Sequence, residues 1–230
     1  MKIFNIYIPV YQWNLLIFTS YCISVSYVFY RAIKSIDNQL RIKFNQEFLD
    51  SQLEVQQIKS LISIQFKLKE RYQTDHLRDL QIAIKNQSET ASITVDWDQS
   101  SLTDFDGRSR RVIRLIPGMT LDLFQPQASS IIAATQTLKE RLTAEDILKR
   151  NSSGVLEIAS SLFKPKRFEK ASEKGEQFYL RLFIKIFDPA QVNTAMGFYT
   201  LSCQFTVEKL PWTDALQPKG SPKKSLSKSD

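Results

Sequence analysis

From Ile3 to Tyr30 the chain carries no charged residue. The hydrocarbon core of a bilayer is about 30 Å thick. A helix of roughly 20 mostly apolar residues crosses it, because lipid cannot satisfy loose backbone amides. Trp13 to Tyr30 supplies such a helix, with Leu15, Leu16, Ile17, Phe18, Ile23, Val25, Val28 and Phe29 as its apolar body. Tyr7, Tyr11 and Trp13 crowd one side and Tyr27 and Tyr30 the other, where amphipathic rings favour the headgroup level. Arg31 and Lys34 then close the span. Pro9 suits a first helical turn, since its missing N–H has no partner there. A secretory signal would end in a small-x-small cleavage site, but Thr19, Ser20 and the large Tyr21 follow Phe18, and Cys22 lacks the small-residue context of a lipidated cysteine. The stretch therefore reads as an uncleaved anchor over 1–33. Inside it Ser20 and Ser24, and Cys22 and Ser26, lie four apart, a small face that a second transmembrane helix fits. The local alternative is that these serines bond back to their own helix.

Charge sets the expected side. Lys2 and the amino terminus precede the span, whereas Arg31, Lys34, Arg41 and Lys43 follow it, so the bulk of the chain is expected on the cytoplasmic side of a bacterial inner or organellar membrane. The net charge of +7 suits an anionic leaflet, where each nearby Lys or Arg is worth about 1 kcal/mol. Nucleic acid would draw on the same charge. Cys22 sits in the span and Cys203 far along the chain, so they are not expected to pair, and a free Cys203 thiol fits a reducing compartment.

Beyond the span, about 200 residues suffice for one soluble domain. Between Pro9 and Gly107 there is neither proline nor glycine, and apolar residues recur at three- and four-residue steps through Ile33, Ile36, Leu40, Phe44 and Phe48, then Val55, Ile58 and Ile62, then Leu77, Leu80 and Ile84. This predicts a helical region over 34–90. It packs on its own domain or, in the alternative, coils with a second copy as a stalk; strict heptads with opposed flanking charges are missing.

An α+β domain is expected over 91–210. Ile93, Val95 and Trp97 alternate with polar neighbours as in a strand, and Pro117-Gly118 predicts a turn joining strands 111–116 and 119–124. Ile131, Thr135, Leu138 and Leu142 have helical spacing. Thr143 with Asp146 resembles a capping box for a second helix, and a third runs from Gly154 towards Phe163. Alternation is clearest at 177–187 and 198–207, and the connector between them is too short for a parallel crossover. The sum is one transmembrane helix, a long membrane-proximal helical region, and a mainly antiparallel sheet of about five strands with about three helices on one face. The Lys-, Ser- and Pro-rich tail over 211–230 has little to bury and is expected to be disordered.

Chemical signatures fail at required positions. Asp96, Asp98 and Ser100 begin like a calcium loop, but Ser101 stands where glycine is needed and Gly107 where glutamate is needed. His76 is the only histidine, too little for a zinc cluster or a histidine-based triad. No glycine pattern makes a phosphate cradle. Gly197-Phe198 lacks the flanking residues of an RNA-recognition strand, and Ser221-Pro222-Lys223-Lys224 is a single copy of a minor-groove-type motif. No catalytic, cofactor-binding or metal-binding residue is assigned.

Two basic clusters remain: Arg108, Arg110, Arg111 and Arg114, and Lys164, Lys166, Arg167 and Lys170 interleaved with Phe163 and Phe168. Cations among aromatics suit anionic lipid headgroups or an acidic protein partner; the alternative is a solvated surface that keeps the chain soluble. The resulting expectation is a non-enzymatic, membrane-tethered binding module that scaffolds or regulates a membrane protein complex. A ligand-sensing domain with an apolar cavity behind Phe178 and Leu180 is the alternative, and nucleic-acid binding a third.

Overall fold

The computed structural model describes residues 10–37, 39–74, 76–118, 125–189 and 196–210. Helix α1 (Val10–Asp37) belongs to one unit, and Gln39–Leu210 forms a second, compact one. Within α1, Trp13–Arg31 is long and apolar enough to cross a membrane, and none of it is buried. The Thr19 hydroxyl donates to the Leu15 carbonyl, and that of Ser24 to the Ser20 carbonyl at 2.9 Å. Bonding of this kind lets hydroxyls sit in an apolar helix without a second chain.

The expected helical region over 34–90 is not formed. Past α1 that stretch holds strands β1 (Gln39–Phe44), β2 (Ile62–Phe66), β3 (Tyr72–Gln73) and β4 (Leu80–Asn86), with only the short helix α2 (Gln46–Val55) among them. Helix-forming composition yields here to tertiary pairing, because β1, β2 and β4 each carry an alternation of five residues or more that one buried face can use. Leu40 and Ile42, Ile62 and Ile64, and Leu80, Ile82 and Ile84 all point inward.

The remaining elements are β5 (Ser92–Thr103), β6 (Ser109–Arg114), β7 (Ser130–Ile132), β8 (Thr137–Ala144), a 3-10 turn (Glu145–Ile147), β9 (Leu148–Arg150), β10 (Leu156–Ile158), α3 (Pro165–Lys174), β11 (Gln177–Phe187) and β12 (Gly197–Lys209). The helices expected between 126 and 163 are therefore strands and a short turn. β8 ends in Leu142, Thr143 and Ala144, all buried, because Ile113, Leu148 and Leu156 form a small second core beside the main one. A strand with neighbours on both faces loses its alternation and passes for a helix. β6 pairs with β5 and β8, and residues 119–124, the expected partner across Pro117-Gly118, lie outside the described residues, as does 211–230.

All pairings are antiparallel. The strand order is β2-β4-β8-β6-β5-β11-β12-β1-β3, with β7 added on β5. The sheet curls on itself: the Phe66 ring of β2 lies 4.7 Å from Phe44 of β1 and 4.8 Å from Phe205 of β12. The expected β11–β12 pair runs in unbroken register from Gln177↔Thr206 to Ile186↔Gly197. Its inward faces, Phe178 to Ile186 and Leu201 to Val207, are buried. Cys203 lies among them, and burial pushes its thiol pKa up, away from the reactive thiolate.

β5 crosses the sheet with a bulge between Asp96 and Ser101. The Ser100 hydroxyl closes it, donating to the Asp96 carbonyl at 2.6 Å and accepting from the Phe183 amide at 3.1 Å. The inserted residues shift the inward set from Ile93, Val95 and Trp97 to Leu102. α2 protects the exposed edge of β12. Gln52 exchanges two bonds with the Ser202 backbone, at 2.8 and 2.9 Å, as a neighbouring strand would.

Candidate functional site

The domain has two ends. At the proximal end the chain comes in at Gln39 and leaves at Leu210, whose amide donates to the Gln39 carbonyl at 3.0 Å. β5 and β12 finish there, and β6 and β11 start there. The distal end carries the β11–β12 connector and the turn from β4 to β5.

The first predicted cluster is at the proximal end, but three of its four arginines are already occupied. Arg110 is buried, grips both oxygens of Asp146 from Nε at 2.9 and 3.1 Å, and donates from Nη1 to the Leu162 carbonyl at 2.6 Å. Arg111 meets Asp98 at 2.6 Å and Glu145 at 3.6 Å. Arg114 bridges Glu140 at 3.2 Å and the Ser130 hydroxyl, which also accepts from the buried Trp97 indole at 2.9 Å. Burial pushes the Asp98 pKa up, but hydrogen bonds from Arg111 and the Gln127 amide outweigh it and hold the carboxyl below its usual range. Only Arg108 is exposed.

The second cluster divides in the same way. Phe163 and Phe168 are not surface aromatics: with the buried Phe178 and Phe205 and the half-buried Phe105 they form an aromatic stack, Phe163 lying 4.9 Å from Phe178 and Phe178 4.8 Å from Phe205. Arg167 joins Glu176 at 2.6 Å and Asp106 at 2.8 Å, and its guanidinium lies 5.3 Å from the Phe105 ring centroid. Lys164, Lys166 and Lys170 remain exposed along α3. α3 itself escaped the sequence reading, though Pro165 at its first turn and Gly175 just past its end, at φ 65, are its start and stop signals.

The fold brings one exposed member of each cluster, Arg108 and Lys164, to one groove. Asp104, Asp106 and Arg108 of the β5–β6 turn face Ser160, Ser161 and Lys164 across a volume of about 550 Å³. Its carboxylates are committed: Asp106 and Asp146 to arginines, and Asp104 to the amides of Asp106 and Arg108. Among the described residues no group of three or more His, Cys, Asp or Glu is placed to hold a metal.

The distal end differs in kind. Ile131 is 74% exposed, Phe198 62%, Phe187 47% and Met196 45%. Ile131, Phe187 and Phe198 share the outer face of the sheet, with Met196 just before β12: the pairings Ile131↔Thr94, Thr94↔Lys185 and Lys185↔Phe198 put two of them in one row. The Phe198 ring lies 6.1 Å from Phe183. The alternation of 177–187 puts Phe183 and Phe187 on the face opposite Phe178, and period-two spacing gives no sign of an apolar patch when both faces carry aromatics.

Compared with protein-family models, curated proteins and solved structures, the chain matches none of them. Any functional reading rests on these two surfaces and the apolar helix.

Proposed function

We propose that the protein is a single-pass, membrane-anchored, non-enzymatic binding module, held on the cytoplasmic side, whose distal face docks an apolar surface of a protein partner in a membrane complex. The observation that carries this reading is the exposed set Ile131, Phe187 and Phe198 on one outer sheet face, with the exposed Met196 adjoining it in sequence. Single exposed apolar side chains are ordinary, but aromatic clusters of this kind mark interaction sites. A helix suited to a bilayer reduces the search to two dimensions, and tethering raises a weak contact to effectively millimolar concentration.

The ligand-sensing alternative has less support. Phe178 is packed by aromatic rings, and the space beside Leu180 is about 10 Å³, at the limit for one water.

The test is capture of the full chain in mild detergent, comparing the native sequence with a Phe187→Ser, Phe198→Ser double variant. A stoichiometric protein retained by the first and lost from the second is expected. A chain that runs alone, or a variant that keeps its partner, defeats the reading. Sidedness is checked separately: protease added to sealed inside-out vesicles should digest the domain.

A further inference from the structure

We propose that the proximal end of the domain rests on the anionic headgroups of the bilayer that α1 crosses; this builds on the single-pass reading and assigns it a surface. Separate elements deliver exposed cations to that end. The segment Lys67-Leu68-Lys69-Glu70-Arg71 runs into β3, which pairs with the first two residues of β1 (Gln39↔Gln73, Leu40↔Tyr72). The Lys69 amide donates to the Tyr72 hydroxyl at 2.8 Å, fixing the segment there. Arg78 precedes β4, Arg108 sits in the β5–β6 turn, Lys164 and Lys166 open α3, and Lys209 ends β12. Lys67, Lys69, Arg78, Arg108, Lys164, Lys166 and Lys209 are all exposed.

The carboxylates of the same end offset them only in part: Glu70 is exposed beside Lys69, and Glu169 and Glu173 are exposed further along α3, but four others are committed. Asp79 is held by Arg141, Asp146 by Arg110, and Asp106 and Glu176 by Arg167. Internal pairing commits these four acids to arginines of the fold and leaves the lysines to the surface. The distal end has the opposite balance: Lys59 is paired with Glu54 and Asp50, and Glu89 and Asp188 line the turns.

Chain reach selects the occupant. Only residues 32–38 separate Arg31, which closes the apolar stretch, from Gln39. α1 runs on to Asp37, six residues past Arg31, a rise of about 9 Å, about one Debye length at physiological salt. Cations held so close feel the leaflet's potential, and phosphate and carboxylate headgroups are the anions within reach.

The experiment uses the full chain in nanodiscs of zwitterionic lipid alone or with anionic lipid, reading lysine acetylation rates by mass spectrometry. Lys67, Lys69, Lys164, Lys166 and Lys209 should be modified roughly tenfold more slowly in anionic discs, with the difference lost in high salt. Lys59 and Lys85 should react alike in both. A Lys67→Glu, Lys69→Glu, Lys164→Glu, Lys166→Glu variant changes only exposed side chains and should release the protection of Lys209 while remaining in the disc. Equal rates in the two lipids overturn the proposal, as does protection of Lys209 in the variant. If the chain leaves zwitterionic discs at alkaline pH, the anchor itself has failed and the proposal falls with it; retention with equal rates removes the surface alone.

Discussion

At the proximal end, Arg110 and Arg167 are folded into the protein by the carboxylates beside them, while lysines a few residues away stand in water. At the distal end the same chain leaves Phe198 and Ile131 uncovered, although Phe178 and Phe205, on the inner face of the same hairpin towards the proximal end, are sealed from solvent. In both places one residue type does two jobs, and position in the fold separates them. A guanidinium presents a rigid fork that a carboxylate can match, so burying it is tolerable, whereas an ammonium is a strongly hydrated point charge that stays outside. A phenylalanine buried among others belongs to the core, and one on an outer face has nothing to pack against until a second surface arrives.

The largest test of this contrast compares two phenylalanines of one hairpin. Phe178→Ala opens a cavity in the aromatic stack and should cost about 3–5 kcal/mol in chemical denaturation. Phe198→Ala should change stability by less than about 0.5 kcal/mol. A large loss from Phe198→Ala would mean that the outer face is structural and would weaken the docking proposal.

Next comes the arginine pair. Arg110→Ala leaves the buried Leu162 carbonyl without its donor and the partly exposed Asp146 without its partner, and should cost about 1–3 kcal/mol. Arg108→Ala, four residues from Asp104 in an exposed turn, should fall within about 0.5 kcal/mol of the native chain. Equal effects would erase the distinction between charges used by the fold and charges left for a partner.

How far these roles are legible in the sequence follows the same line. The β11–β12 hairpin announces itself because eleven and thirteen residues alternate over one buried and one outer face. β1, β2 and β4 carry the same rhythm in shorter runs, within a composition of Gln, Leu, Lys and Glu that favours helix; Leu40 pairs opposite Lys209, a partner no local window contains. The basic residues of the candidate site were visible, but which of them the fold consumes was not. Arg110 and Asp146 meet only because β6 pairs with β8, and Phe163 and Phe168 gave no sign of facing inward from a segment so rich in lysine.

Acid should separate the ion-paired network from the lysine surface. The folded pKa of Asp98 lies below its ordinary value, so its contribution is fully present above the unfolded carboxylate pKa and lost as pH falls through the folded one. Asp98→Asn should therefore cost about 1 kcal/mol near neutrality, the net of charged hydrogen bonds at a partly exposed site. In urea titrations the gap between native and variant chains should close as the solution is acidified. A gap that persists with the carboxylate protonated would assign the loss to packing instead of charge.

The smallest effect is the most telling about the α3 lysines. Lys164 caps the helix without a side-chain bond, Lys166 sits in its first turn, and no acidic residue accompanies them there. The amino end of a helix carries partial positive charge, so cations at this place oppose the helix that bears them. Lys166→Glu reverses the sign and should stabilise the domain by about 0.3–1 kcal/mol, read as a small upward shift in the denaturation midpoint at low salt. The same change removes a cation from the surface assigned to the bilayer, so lipid-dependent protection of the neighbouring lysines should weaken as stability rises. A variant that gains neither stability nor loses protection would show that Lys166 is a solvated bystander. Opposed shifts would mean that this helix tolerates an unfavourable charge because the membrane, not the fold, makes use of it.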